Sequence, residues 1–236
     1  MSTQSSARTA VPKTYDARSF DRLAEEYDFV ATREGRSTFF LEHLPEGRQR
    51  VLDVGCGTGI LAQELSHHFG SVVAIDISGP MLAIARARRA ATNIEYRRDD
   101  ANHLVLDQTF DCIVSHTTLH HLEDVSETLR VLKAWLEPRG RLLLIDLASR
   151  WPLIPRNACT STAKACLQLV PNLFRHGPRV AWRIFRFYTS RHWFDHVLSD
   201  PILSRARFRE VYAAALPGAT FIPLKCFMGV VWQAPG

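Results

Sequence analysis

Five short apolar runs punctuate the middle of the chain: RVLDVG (50–55), VVAID (72–76), IEYR (94–97), FDCIVS (110–115) and RLLLID (141–146). Runs that are apolar throughout, rather than alternating, mark strands covered on both faces, as in a parallel sheet. The stretches between them have helical spacing. Residues 59–69 close at Gly70, residues 79–91 open with Ser78 and Pro80, and about 124–136 put Val125, Leu129, Leu132 and Leu136 on one stripe. Alternating strands and helices join by right-handed crossovers, which predicts an α/β fold with a doubly wound sheet.

The flanks extend this plan. Phe20, Leu23, Tyr27 and Val30, then Phe40, Leu41 and Leu44, predict two helices before the first strand. Near the end, FREVYAAALPGA predicts a helix that stops at Pro217-Gly218, and ATFIPL with FMGVVWQ predicts an antiparallel hairpin around Lys225. The sum is a mostly parallel, seven-stranded, Rossmann-like sheet with helices on both faces and a C-terminal antiparallel hairpin. Residues 1–13 are polar and aperiodic and read as a mobile tail, which leaves 14–236 as one domain.

Composition narrows the class. With 236 residues, 46% hydrophobic and 22% charged, the chain is an ordinary globular one. No apolar run nears the roughly 18 residues of a membrane span, and the start lacks the apolar core of a secretory signal, so a cytoplasmic location is expected. Five cysteines without CxxC or Cys/His spacing read as reduced thiols with no structural zinc. The net charge of +5 is concentrated in Arg150–Asp200, where eight basic residues face two acids and which holds 8 of the 23 aromatics. Within it, residues 179–198 read as one long amphipathic helix with Arg179, Arg183 and Arg186 on one side. Such a face suits a solvated surface, an acidic substrate, an anionic bilayer or RNA.

The candidate chemistry starts after the first strand, at Asp53-Val54-Gly55-Cys56-Gly57-Thr58-Gly59. Glycines there let a ligand approach the backbone, and the next helix offers unpaired N–H groups. Seventeen residues after Gly59, Asp76 ends the second strand and can accept hydrogen bonds from both ribose hydroxyls. The spacing is GxGxG rather than the GxGxxG of pyrophosphate binders, and a carboxylate so close would repel a pyrophosphate. An adenosine-bearing cofactor with a cationic group is expected, which leaves a nicotinamide dinucleotide as a remote alternative.

VLDVGCGTG, VVAIDIS, RRDDA, FDCIVSHTTLHHLED and LEPRGRLLLID together resemble, in order, the successive motifs of class I S-adenosylmethionine (SAM)-dependent methyltransferases of the small-molecule "methyltransferase 11" type, over about 20–146. The resemblance implies SAM as cofactor and S-adenosylhomocysteine (SAH) as product. It implies that Gly55, Cys56, Gly57 and Gly59 lie along the methionine part, with Asp53 supporting the loop and the amino end. Asp76 and Ile77 would hold the ribose, Met81 would pack on the adenine, and Asp100 with Ala101 would read its amino edge, Asp100 being preferred over Asp99. Tyr15 and Tyr27 sit where relatives close a helix over the cofactor, and Ser115 ends the strand facing it. Residues 150–200 fall where relatives insert a helical substrate lid, which makes Trp182, Tyr188 and Trp193 candidate pocket walls.

For the chemical step, His120, His116 and His121 follow the fourth strand, where the methyl group would point. They can act as base or orienter, and His120 ranks first by its resemblance to an active-site acid of lipid-modifying relatives. No NPPY or DPPY tetrapeptide and no Pro-Cys dipeptide occurs. Asp146 alone does not make a magnesium site, so no metal is expected. The function expected is direct methyl transfer to a small, largely apolar or aromatic metabolite, as in natural product biosynthesis, with no nucleic acid partner and at most weak membrane-surface contact. The alternatives are an RNA or membrane-lipid methyltransferase, or a SAM-binding protein that transfers no methyl.

Overall fold

Each apolar run forms a strand in the computed structural model, which describes residues 20–33, 38–149, 157–199 and 202–236. The tail expected over 1–13, and Tyr15, lie outside the described residues. The strands are β1 (Arg50–Val54), β2 (Ser71–Asp76), β3 (Ile94–Arg98), β4 (Phe110–His116) and β5 (Leu136–Ser149), parallel in the order β3-β2-β1-β4-β5. In register, Leu52 of β1 lies opposite Val73 of β2 and Ile113 of β4. A two-residue β6 (Leu203–Ser204) pairs with the end of β5. β8 (Phe227–Gln233) runs antiparallel along β5, and β7 (Thr220–Leu224) is antiparallel to β8 at the edge. The described sheet thus has eight strands rather than the expected seven, because β6 is too short to leave an apolar run.

The strand pattern sorts side chains onto two faces. Leu52, Val54, Val73, Ile75, Ile113, Leu142 and Leu144 face α5 (Val125–Ala134) and α9 (Arg205–Ala215), packing with Leu129, Leu132, Phe208 and Tyr212. Val51, Val72, Ala74, Cys112, Val114, Leu143 and Ile145 face α2 (Thr38–Glu42) and α3 (Ile60–Ser66), through Phe39, Phe40, Ala62 and Leu65. Strands buried on both sides need no polar face, which is why their sequences do not alternate. Capping fixes helix starts near the strand ends. Ser78 accepts the Met81 N–H to open α4 (Gly79–Arg88), and Asp124 accepts the N–H groups of Ser126 and Glu127 to open α5.

The expected lid is three helices, α6 (Ala158–His176), α7 (Pro178–Tyr188) and α8 (Arg191–Ser199). The single helix expected over 179–198 is therefore corrected: the chain breaks after Tyr188, and Ser190 Oγ accepts the Trp193 N–H at 3.3 Å to restart it. α7 buries Ala181, Ile184 and Phe187 against Leu23 and Val30 from the turn before and within α1 (Ala24–Ala31). Arg183 joins the two helices by a fork on Glu26 at 2.9 and 3.0 Å and lies 3.8 Å over the Phe29 ring.

Candidate functional site

The turn between β1 and α3 lies at the carboxyl ends of the strands, where β1 is flanked by β2 and β4 and the strand order reverses, the usual ligand crevice of an open α/β sheet. Gly55 and Gly57 take positive φ of 74° and 54°, a region strained for other residues. A Cβ on Gly55 would strike Thr118 Oγ1 at 2.1 Å, whereas one on Gly57 would meet nothing within 4 Å and would fill open space. The Gly57 N–H donates to Asp76 Oδ2 at 2.7 Å and the Ser78 N–H to Asp76 Oδ1 at 2.8 Å, so Asp76 sets the shape of the turn.

From this turn a cleft of about 820 Å³, open solvent at its mouth included, runs between the loops after β2, β3 and β4. Phe20, Tyr27, Ile77 and Met81 form an apolar side. Asp76, Asp99, Asp100, Ala101 and Asn102 form a polar one, and His116, Thr117, Thr118 and His121 form the far end. Among the described residues three carboxylates line the cleft and no lysine or arginine does. That lining suits a ligand carrying positive charge and disfavours a pyrophosphate.

Beneath the turn, Asp53 is fully buried, and burial, then the Asp76 charge, pushes its carboxyl up to about 8. Its Oδ2 has no hydrogen-bond partner among the described residues. Asp76 is also raised, first by burial, against the lowering effect of the Ser78 and Gly57 N–H groups. A cation in the cleft would relieve both groups. The open cradle at Gly57, the acid lining and the unpartnered Asp53 oxygen fit a cofactor with an adenosine and a cationic end.

The histidines divide by position. His116 and His121 line the cleft. His120 is buried behind the wall, where Asp146 holds its ring Nδ1 and accepts its backbone N–H at 2.9 Å. Its ring lies 3.8 Å from that of His121, and His196 of α8 lies 5.4 Å from His121 on the other side. Asp146 also accepts the Tyr212 hydroxyl at 3.1 Å.

Of the other residues singled out, Tyr27, Gly55, Gly57, Asp76, Ile77, Met81, Asp100 and Ala101 line the cleft. Several do not, each for a visible reason. Ser115 donates to Val54 O at 2.9 Å and ties β4 to β1. Cys56 turns into the core below the sheet, where burial pushes its thiol well up, and Gly59 caps α3. Trp182 stands 56% exposed on α7, stacked on Phe185, so it is not a pocket wall. Tyr188 and Trp193 pack with Phe187 under α1, and Trp193 reaches the site only through its contact with His196.

Phe20, Asn102, Asp99, Thr117 and Leu122 also line the cleft, beyond the residues that the sequence motifs single out. Asp99 was the less favoured acid of a pair, and both acids face the cleft. Thr117 left no signal, yet it takes φ +56°, unusual for a β-branched residue, and its N–H donates to Ile145 O at 2.7 Å.

Comparison with known proteins agrees with this geometry. Residues 52–144 match the family described as "Methyltransferase domain". The chain is 32% identical over 148 residues to a malonyl-[acyl-carrier protein] O-methyltransferase of Bacillus cytotoxicus, covering 59% of this chain and 52% of that one. It is 39% identical over 107 residues to an uncharacterized methyltransferase of Mycobacterium tuberculosis, covering 45% of this chain and 54% of that one. The matches span about half the length of these relatives. Among solved structures, DhpI in complex with SAH superposes with a TM-score of 0.63 at 20% identity, over 93% of this chain and 95% of that one. Residues 52–144 thus match a methyltransferase domain, and the chain shares its fold with a methyltransferase-like structure that holds SAH.

Proposed function

We propose that this protein transfers the methyl group of SAM to a small, largely apolar or aromatic metabolite, by direct displacement, in a biosynthetic pathway of specialised metabolism. The observation that carries the reading is the cleft on the glycine turn, lined by acids, without lysine or arginine among its described walls, and ending at two histidines. SAM, when bound, supplies an electrophilic methyl group on a sulfonium. Asp76 keeps acceptor capacity beyond its two backbone partners for ribose hydroxyls. Met81, Phe20 and Tyr27 offer apolar surface to the adenine, and Asp100 with Ala101 offers polar groups to its edge.

At the far end, the chain's own work is to orient the acceptor and take its proton. His121 and His116 face the cleft, so one of them is the general base, and His120 acts through the tilted His121 ring it packs against rather than on substrate. Similarity to an O-methyltransferase supports oxygen as the acceptor atom. Labelled SAM incubated with the protein and a metabolite extract should give a labelled small product dependent on His121 or His116. Label entering RNA or lipid instead would favour those acceptors, and tight SAM binding with no labelled product would favour a protein that binds SAM without transfer.

A further inference from the structure

The lid's outer helix carries an apolar face that nothing in the described molecule covers. Along α6, Leu167, Val170, Leu173 and Phe174 fall three and four residues apart on one arc, and they are 75%, 58%, 42% and 86% exposed. The opposite side holds Ala165, which is 5% exposed. An amphipathic helix of 19 residues therefore presents its apolar side outward. Residues 157–188 contain no acid and five basic residues, of which Lys164, Arg175, Arg179 and Arg186 are exposed and Arg183 is held by Glu26.

We propose that the α6–α7 hairpin docks on an anionic lipid bilayer, with Leu167, Val170 and Phe174 at the acyl boundary and Lys164, Arg175, Arg179 and Arg186 on the headgroups. Lys and Arg beside an exposed Leu, Val and Phe arc is the composition of helices that lie in a membrane interface. Charge complementarity selects this occupant. A second copy apposed through the same face would bring like charges together. Residues 1–19, with three basic residues and one acid, are no better matched to it. RNA would satisfy the arginines but leave the apolar arc in water.

Flotation with phosphatidylglycerol–phosphatidylcholine vesicles tests this, with pure phosphatidylcholine vesicles as reference and circular dichroism to verify folding. The full chain should float with the anionic vesicles, less so as salt rises, and not with the neutral ones. Phe174→Asp should raise the lipid concentration for half binding at least tenfold, and Arg179→Glu with Arg186→Glu should do the same. Val105→Asp, at an 82% exposed apolar residue outside the lid, should leave binding unchanged. No flotation with anionic vesicles, equal binding to neutral ones, or full binding by Phe174→Asp would overturn the proposal. So would a dimer in light scattering that Phe174→Asp dissolves without any vesicle binding.

Discussion

Asp146 grips His120 twice, accepting its backbone N–H at 2.9 Å and hydrogen-bonding its ring at Nδ1. The Leu147 N–H reaches the same carboxylate at 2.8 Å and the Tyr212 hydroxyl at 3.1 Å. Burial and the Asp146 charge push the Tyr212 hydroxyl well up, so it stays a donor. Tyr212→Phe removes one hydrogen bond to a charged group without leaving a cavity. It should cost about 1.5 to 3 kcal/mol, a Tm fall of roughly 3 to 12 °C for a chain of this length. Scanning calorimetry checks it, and SAM affinity should not change.

The two cleft histidines separate binding from chemistry. If His121 or His116 is the base, its replacement by Ala should lower kcat by about 10² to 10⁴ with SAM affinity nearly intact. His120→Ala should instead lower both Tm and kcat, since it removes the Asp146 tie and the ring against His121. Single-turnover rates on the three variants check this. Full activity in His121→Ala and His116→Ala would leave positioning as the whole mechanism.

The lid aromatics should part company. Trp182 is mostly in water, so Trp182→Ala should leave acceptor KM and Tm nearly unchanged. Trp193 packs 4.7 Å from Phe187 and 5.5 Å from His196. Trp193→Ala should cost about 2 kcal/mol of packing and lower Tm by roughly 4 to 8 °C. Thermal melts of both variants give the comparison.

β1, β2, β4 and β5 were legible because doubly buried strands leave apolar runs, the edge strand β3 showed only through Ile94 and Tyr96, and Gly55, Gly57 and Asp76 were legible because a tight turn and a strand end constrain residue type. The lid was less so. Arg179 to Leu198 keeps one amphipathic period across Thr189-Ser190, and only Ser190, three residues before Trp193, hints at a new cap. Trp182 looked like pocket lining because composition does not say which side of a helix meets the core, and here Ala181, Ile184 and Phe187 do. The pairing of His120 with Asp146 joins residues 26 apart through the sheet, and no local pattern announces it.

Asp53 links stability to pH. Its folded carboxyl is raised from 3.8 to about 8, so between those values the folded state holds a proton that the unfolded state has released, and stability falls as pH rises through that window. Asp53→Asn should flatten this slope and raise Tm at pH 8 relative to wild type. Melts across the window check it, and an unchanged slope would count against the buried, protonated Asp53. Bound SAM, by its positive charge, should lower the folded carboxyl toward its ordinary value and so shrink the wild-type loss of stability across this window.

We propose that the cleft on the glycine turn is a SAM site organised by Asp76. Calorimetric titration of SAM and SAH into the wild type and into folded Asp76→Ala tests it most directly. The wild type should bind both ligands and the variant should lose at least tenfold in affinity, because two charge-assisted hydrogen bonds to the ribose, each worth about 1.5 to 3 kcal/mol, disappear. Unchanged SAM affinity in a folded Asp76→Ala variant would contradict it.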